Sequence, residues 1–149
     1  MTFTTNRVLI DTSILVEYIK GTKTELLSKL IEDSSISCCI NETIISEFLY
    51  QFLKVTGGTS PQSLQSSGKI ASLFSQSEEY AILKLFHVIP SDDSYNNFVP
   101  YLMATYNLLP NDAIILATCK IHNITKLASH DTDFIIPCKE EGIELLRED

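Results

Sequence analysis

Arg7-Val8-Leu9-Ile10-Asp11-Thr12-Ser13-Ile14-Leu15-Val16-Glu17-Tyr18-Ile19 reads as a short apolar strand that ends on an acid and turns at once into a helix. A run such as Val8-Leu9-Ile10, with no polar alternation, is the pattern of a strand buried on both faces, as in a parallel sheet covered by helices. The helix expected over Thr12 to Ile19 stops at Gly21, a residue suited to the left-handed turn that ends helices. In sheets of this kind ligands lie beyond the carboxyl ends of the strands. Asp11 falls there.

Outward from this stretch the alternation of strand and helix recurs. Thr24 to Glu32 predicts a helix with Leu26, Leu27, Leu30 and Ile31 on one stripe, and Ser35 to Ile40 a buried strand. A helix follows from about Asn41 to Val55, broken by Gly57-Gly58. Thr56 to Gly68 is rich in Gly, Ser, Thr and Pro and reads as surface slack. Helical patterns resume over Lys69 to Leu85, and His87-Val88-Ile89 is a strand stopped by Pro90. Ser91-Asp92-Asp93 starts a helix through Tyr95, Phe98, Leu102 and Tyr106, and Pro110-Asn111 opens another that reaches His122-Asn123. Ile124 to Ser129 and Gly142 to Leu146 are the last strands, the second at an edge. The expected class is α/β: a three-layer α/β/α unit with a central, mostly parallel sheet of four to five strands, residues 1–149 forming a single domain.

Bulk composition narrows the chemistry. Apolar residues make up 44% and charged residues 20%, ordinary values for a soluble globular chain. No apolar run approaches a membrane span, and Met1 to Arg7 lacks the basic start and long apolar core of a secretory signal, so a cytoplasmic address is expected. Cys38, Cys39, Cys119 and Cys138 have no zinc-ligand spacing and read as reduced core thiols. His87, His122 and His130 share no metal or triad spacing with the acids and read as surface or packing residues. There is no Gly-x-Ser-x-Gly elbow, and Gly57-Gly58 lacks the Lys-Ser/Thr of a phosphate loop. The net charge of −8 argues against non-specific binding to duplex nucleic acid.

The acids carry the signal. Asp11, Glu47, Asp112 and Asp131 fall at strand ends and helix starts, with Asp133 close behind. Each has an ordinary reading: Asp11 as a helix cap, Glu47 as an exposed helix margin, Asp112 as a complement to a helix dipole, Asp131 and Asp133 as turn residues. Their conjunction on one edge of a sheet outweighs these. Two unit charges about 4 Å apart repel by roughly 4 kcal/mol at an effective dielectric near 20. Magnesium or manganese, which prefer oxygen ligands, would remove that conflict and stabilise the fold. The chemistry indicated is metal-dependent attack on phosphate esters.

Four segments then resemble the PIN-domain nucleases, and within them the VapC-type toxins of toxin–antitoxin pairs. They are Val8-Leu9-Ile10-Asp11-Thr12-Ser13, Ile44-Ile45-Ser46-Glu47-Phe48, Asn111-Asp112-Ala113-Ile114-Ile115-Leu116-Ala117 and Ser129-His130-Asp131-Thr132-Asp133-Phe134, in that order along nearly the whole chain. The resemblance implies a magnesium-dependent endoribonuclease cutting single-stranded or structured RNA such as tRNA, rRNA or mRNA. Asp11, Glu47 and Asp112 match the family's metal-binding core. Asp131 matches the fourth acid, with Asp133 as the alternative. Thr12 and Ser129 match hydroxyls that support the carboxylates by hydrogen bonds. A homodimer and a cognate antitoxin are implied as well. Two other readings stand beside it: a solitary PIN-like module that binds metal or RNA without turnover, and a phosphatase of the haloacid dehalogenase type. The second is disfavoured because Ser13 stands where that family needs a second Asp.

Overall fold

The computed structural model describes residues 6–148; Met1 to Thr5, most of the stretch read for a signal segment, and Asp149 lie outside the described residues. Five strands, β1 (Asn6–Ile10), β2 (Ile36–Ile40), β3 (His87–Val88), β4 (Lys126–Ala128) and β5 (Glu144–Leu146), form one sheet in the order β3-β2-β1-β4-β5. Every neighbouring pair is parallel. In central β1, consecutive residues Val8, Leu9 and Ile10 are fully buried, so both faces of the sheet are covered. That double burial is why the strand shows no polar alternation. The α/β expectation holds, with the sheet parallel throughout.

The connecting helices are α1 (Thr12–Ile19), α2 (Glu25–Glu32), α3 (Glu42–Gly57), α4 (Pro61–Ser66), α5 (Ile70–Gln76), α6 (Tyr95–Tyr106), α7 (Pro110–Ile121) and α8 (Ile135–Glu141). From β1 the chain steps outward to β2 and β3, then returns across the sheet to β4 and β5. The order therefore reverses between β1 and β4, and crevices form at such reversals. Ile10 pairs with Ala128, and Asp11 N–H donates to Ala128 O at 2.9 Å. Asp11 and Ser129 consequently leave the sheet side by side.

Three segments depart from the sequence expectation. Thr56 to Gly68 is not slack. Gly58 ends α3 in the left-handed conformation at φ 66°, and Ser60 then caps α4 through Ser63 N–H, with Pro61 in its first turn. Ser-Pro, counted as loop composition, is here a helix start. Leu64 is 2% exposed and packs so close to Gly57 that a Cβ there would meet its Cδ1 at 2.6 Å. Lys69 to Leu85 divides into α5 and a 3-10 turn over Glu79–Leu85. Phe74 bridges the parts, its ring 5.3 Å from Phe52 and 4.8 Å from Tyr80. α8, which the sequence reading left unassigned, carries Pro137 in its first turn, where the missing N–H costs no helical bond. All four cysteines are buried and unpaired, as expected. Among the described residues no helix is long and apolar enough to cross a membrane.

Candidate active site

Asp11 follows β1 and is 5% exposed. It occupies the N-cap position of α1, yet its side chain makes no capping bond. Oδ2 instead accepts from Ser13 Oγ at 2.9 Å and from Ser129 Oγ at 2.7 Å. Each hydroxyl has one proton and spends it on this oxygen. Ser13 Oγ then accepts from His130 N–H, and Ser129 Oγ from Asp131 N–H, both at 3.0 Å. The loop after β4 is thereby stitched to the end of β1. Burial pushes the Asp11 carboxyl up, and the two serines with the nearby Thr12 and Ser13 amides pull it part of the way back.

Glu47 is half-buried on α3, where Oε1 has no hydrogen-bond partner. Burial raises its pKa, the charge of Asp11 adds to that, and the facing Asn111 and Thr12 side chains oppose it. Thr12, expected to support a carboxylate by a hydrogen bond, faces Glu47 and helps hold its carboxyl down, though its buried Oγ1 has no partner of normal geometry. Ser13, with Ser129, does that work for Asp11. Ser13 stands outside the expected pair of supporting hydroxyls, although a hydroxyl two residues after an acid at a helix start is well placed to turn back to it.

Asp112 lies in the first turn of α7, after Pro110. Its carboxyl is pushed up to about 7 by burial first, then by the charges of Asp131, Asp11, Glu47 and Asp133. Asp131 caps the 3-10 turn Thr132–Phe134, its Oδ1 accepting from Asp133 N–H at 2.9 Å. Asp112, Asp131 and Asp133 each offer an oxygen within 4.8 Å of the others. Asp11 and Glu47 stand outside that tight group, near enough to raise Asp112. The His130 ring faces Glu148, Nε2 lying 3.9 Å from Oε2, and neither ring nitrogen is hydrogen-bonded.

The donor set is all oxygen, crowded with like charge, and includes buried polar atoms, Glu47 Oε1 and Thr12 Oγ1, that lack a protein partner. A hard divalent cation fits each of these features. A cleft of about 600 Å³ opens beside Asp133, between Thr105–Leu108 and Thr132–Pro137. A second, of about 420 Å³, is walled by Asn41, Tyr95, Ile114 and Thr118. Ile114 and Thr118 lie about 200° and 240° around the helix from Asp112, so this second cleft faces the other side of α7.

The family model for the PIN domain matches residues 8–140. Ribonuclease VapC6 of Methanocaldococcus jannaschii is 32% identical, the match covering 96% of this chain and 98% of that protein. Ribonuclease VapC2 of the same organism is 26% identical over 87% of each chain. A chain from the crystal structure of VapBC2 from Rickettsia felis, bound to a DNA fragment from their promoter, superposes with a TM-score of 0.62 at 16% identity, covering 96% of this chain and 99% of that chain. That last likeness is one of fold.

Proposed function

The chain belongs to the PIN-domain family, and we propose that it is a divalent-metal-dependent endoribonuclease, using magnesium with manganese as a substitute. The observation that carries this reading is the convergence of Asp11, Glu47, Asp112, Asp131 and Asp133, whose mutual repulsion and burial hold Asp112 at about 7. The ribonuclease names of the two archaeal relatives support the choice of RNA over other phosphodiesters.

A bound divalent ion supplies charge neutralisation at the scissile phosphate and an activated water. Asp112, Asp131 and Asp133 would hold it, with Glu47 and Asp11 completing the oxygen set. Ser13 and Ser129 fix the Asp11 carboxylate by donating to one oxygen, so that it does not rotate away from the crevice. Through the Asp131 N–H, Ser129 also fixes the loop that carries the next two acids. The proton that Asp112 retains near neutrality must leave when a cation enters, which ties binding to pH.

The same reading makes the protein a toxin with a cognate antitoxin, assembled as a homodimer and acting in the cytoplasm as one domain over residues 1–149. The VapC relatives and the VapBC2 neighbour support the toxin and antitoxin parts of this reading. The test is cleavage of labelled total cellular RNA by purified protein, with magnesium or with chelator, beside Asp112→Asn. Magnesium-dependent fragments absent from the variant are expected, and their ends identify the target. Metal-induced stabilisation with every RNA intact would replace the nuclease by a binding module.

A further inference from the structure

Thr118 is fully buried on α7, and its hydroxyl is the hub of a polar network apart from the acids. Oγ1 accepts from Asn41 Nδ2 at 2.9 Å and from Tyr95 OH at 3.0 Å. It donates its one proton to Ile114 O at 2.9 Å. Asn41 Oδ1 accepts from Ile44 N–H at 2.9 Å, which caps α3. The Thr118 proton being committed, Tyr95 and Asn41 must both donate, and the Asn41 amide is thereby held in one orientation.

A helix cap needs only an acceptor oxygen, so Asp or Ser would cap α3 as well as Asn. Only the amide adds a donor that reaches across to α7. Three buried polar side chains at the floor of the second cleft fix one geometry where an apolar trio would tolerate several. The helices joined are the two that matter at the site. α3 carries Glu47 and α7 carries Asp112. Glu47 Oε1 has no hydrogen bond of its own, and Asn111, which faces the carboxyl, sits on α7 itself, so the relation of Glu47 to Asp112 follows where α3 lies against α7.

We propose that Asn41, Thr118 and Tyr95 are positioning residues, which set α3 against α7 so that Glu47 and Asp112 address the same reacting centre. The inference rests on the nuclease reading for its effect on turnover. Thr118→Val keeps the shape and deletes the hydroxyl; Thr118→Ser keeps the hydroxyl. With saturating magnesium, Thr118→Val is expected to lower kcat on RNA by roughly ten- to hundredfold with KM little changed, since small misplacements cost that much. Thr118→Ser should restore wild-type kcat. Tyr95→Phe, which removes one donor from the network's edge, should fall between them and serves if Thr118→Val does not fold. Hydrogen exchange at the Ile44 amide is the second readout, expected faster in Thr118→Val and unchanged in Thr118→Ser. Wild-type kcat in a folded Thr118→Val, or a Thr118→Ser as impaired as the valine, would overturn the inference. Wild-type protein that cuts no RNA would sink the nuclease reading instead. Exchange at Ile44 would still decide the wiring, unchanged rates in Thr118→Val counting against it.

Discussion

Ser129 Oγ donates to Asp11 Oδ2 at 2.7 Å, joining the ends of two adjacent parallel strands through one hydroxyl. The register of β1 on β4 brings the two residues together, because Ile10 opposes Ala128 and the next residue of each strand emerges beside the other. Removing the hydroxyl leaves a buried carboxylate one donor short and frees the Asp131 amide. Hydrogen bonds to charged groups contribute about 1.5–3 kcal/mol. Ser129→Ala is expected to weaken magnesium binding about 10–100-fold, as losses around metal ligands do. The magnesium midpoint of thermal stabilisation measures it; an unchanged midpoint would remove Ser129 from the site.

Asp112 links stability to pH. Its folded carboxyl titrates at about 7, and Asp11 and Glu47 are raised as well. An unfolded aspartate titrates near 3.9. Between those values the folded protein holds a proton that the unfolded chain has released, so stability falls as pH rises through the window. In chelator, the metal-free protein should lose melting temperature from about pH 4 to about pH 7, and magnesium should restore more of it at the higher pH. His130, whose burial lowers its pKa, works in the opposite sense at the acid end. The informative quantity is therefore the difference between wild type and Asp112→Asn, in which the fall towards neutrality should flatten. Parallel profiles would contradict it.

Asp112→Asn should also raise the melting temperature of the metal-free protein near neutral pH while abolishing the gain from magnesium. A neutral amide removes a charge from among four like neighbours. Each kcal/mol so relieved is worth about 2–4 °C for a chain of this size. Calorimetry in chelator decides it: a variant less stable than wild type would mean that the carboxylate is held by favourable contacts rather than crowded.

The acids were legible because a parallel sheet puts its strand ends on one edge, so Asp11 and Asp131 could be placed from strand boundaries alone. Which oxygens meet was not legible. That Asp133 joins Asp112 and Asp131, and that Ser13 turns back to Asp11, depends on side-chain directions over one or two residues after a strand. The Asn41–Thr118 bond was hidden for another reason. It joins residues 77 positions apart, and its two partners read locally as an ordinary cap and an ordinary buried helix position. Composition misled over Thr56 to Gly68, where Ser60-Pro61 begins a helix.

That segment supplies its own test. Leu64, 2% exposed, fills the space that Gly57 leaves open on α3, which Leu73 of α5 also borders. Leu64→Ala is expected to cost about 2–5 kcal/mol on denaturant unfolding, the range for buried leucines. A loss within a few tenths of a kcal/mol would return the stretch to surface slack.

Asp131 and Asp133 are the two candidates for the fourth acid, and mutation separates them. Asp131 Oδ1 takes the Asp133 N–H, a turn contact that asparagine preserves and alanine does not. Asp131→Asn should thus keep the turn and lose only charge, whereas Asp131→Ala should lose about 1 kcal/mol of stability in addition, as lost caps do. Asp133 is exposed, and solvent screens its charge more than that of half-buried Asp131. Both asparagine variants should raise the magnesium midpoint, Asp131→Asn by more. Equal midpoints for Asp133→Asn and wild type would leave Asp131 alone as the fourth ligand, and the reverse ranking would transfer the role to Asp133.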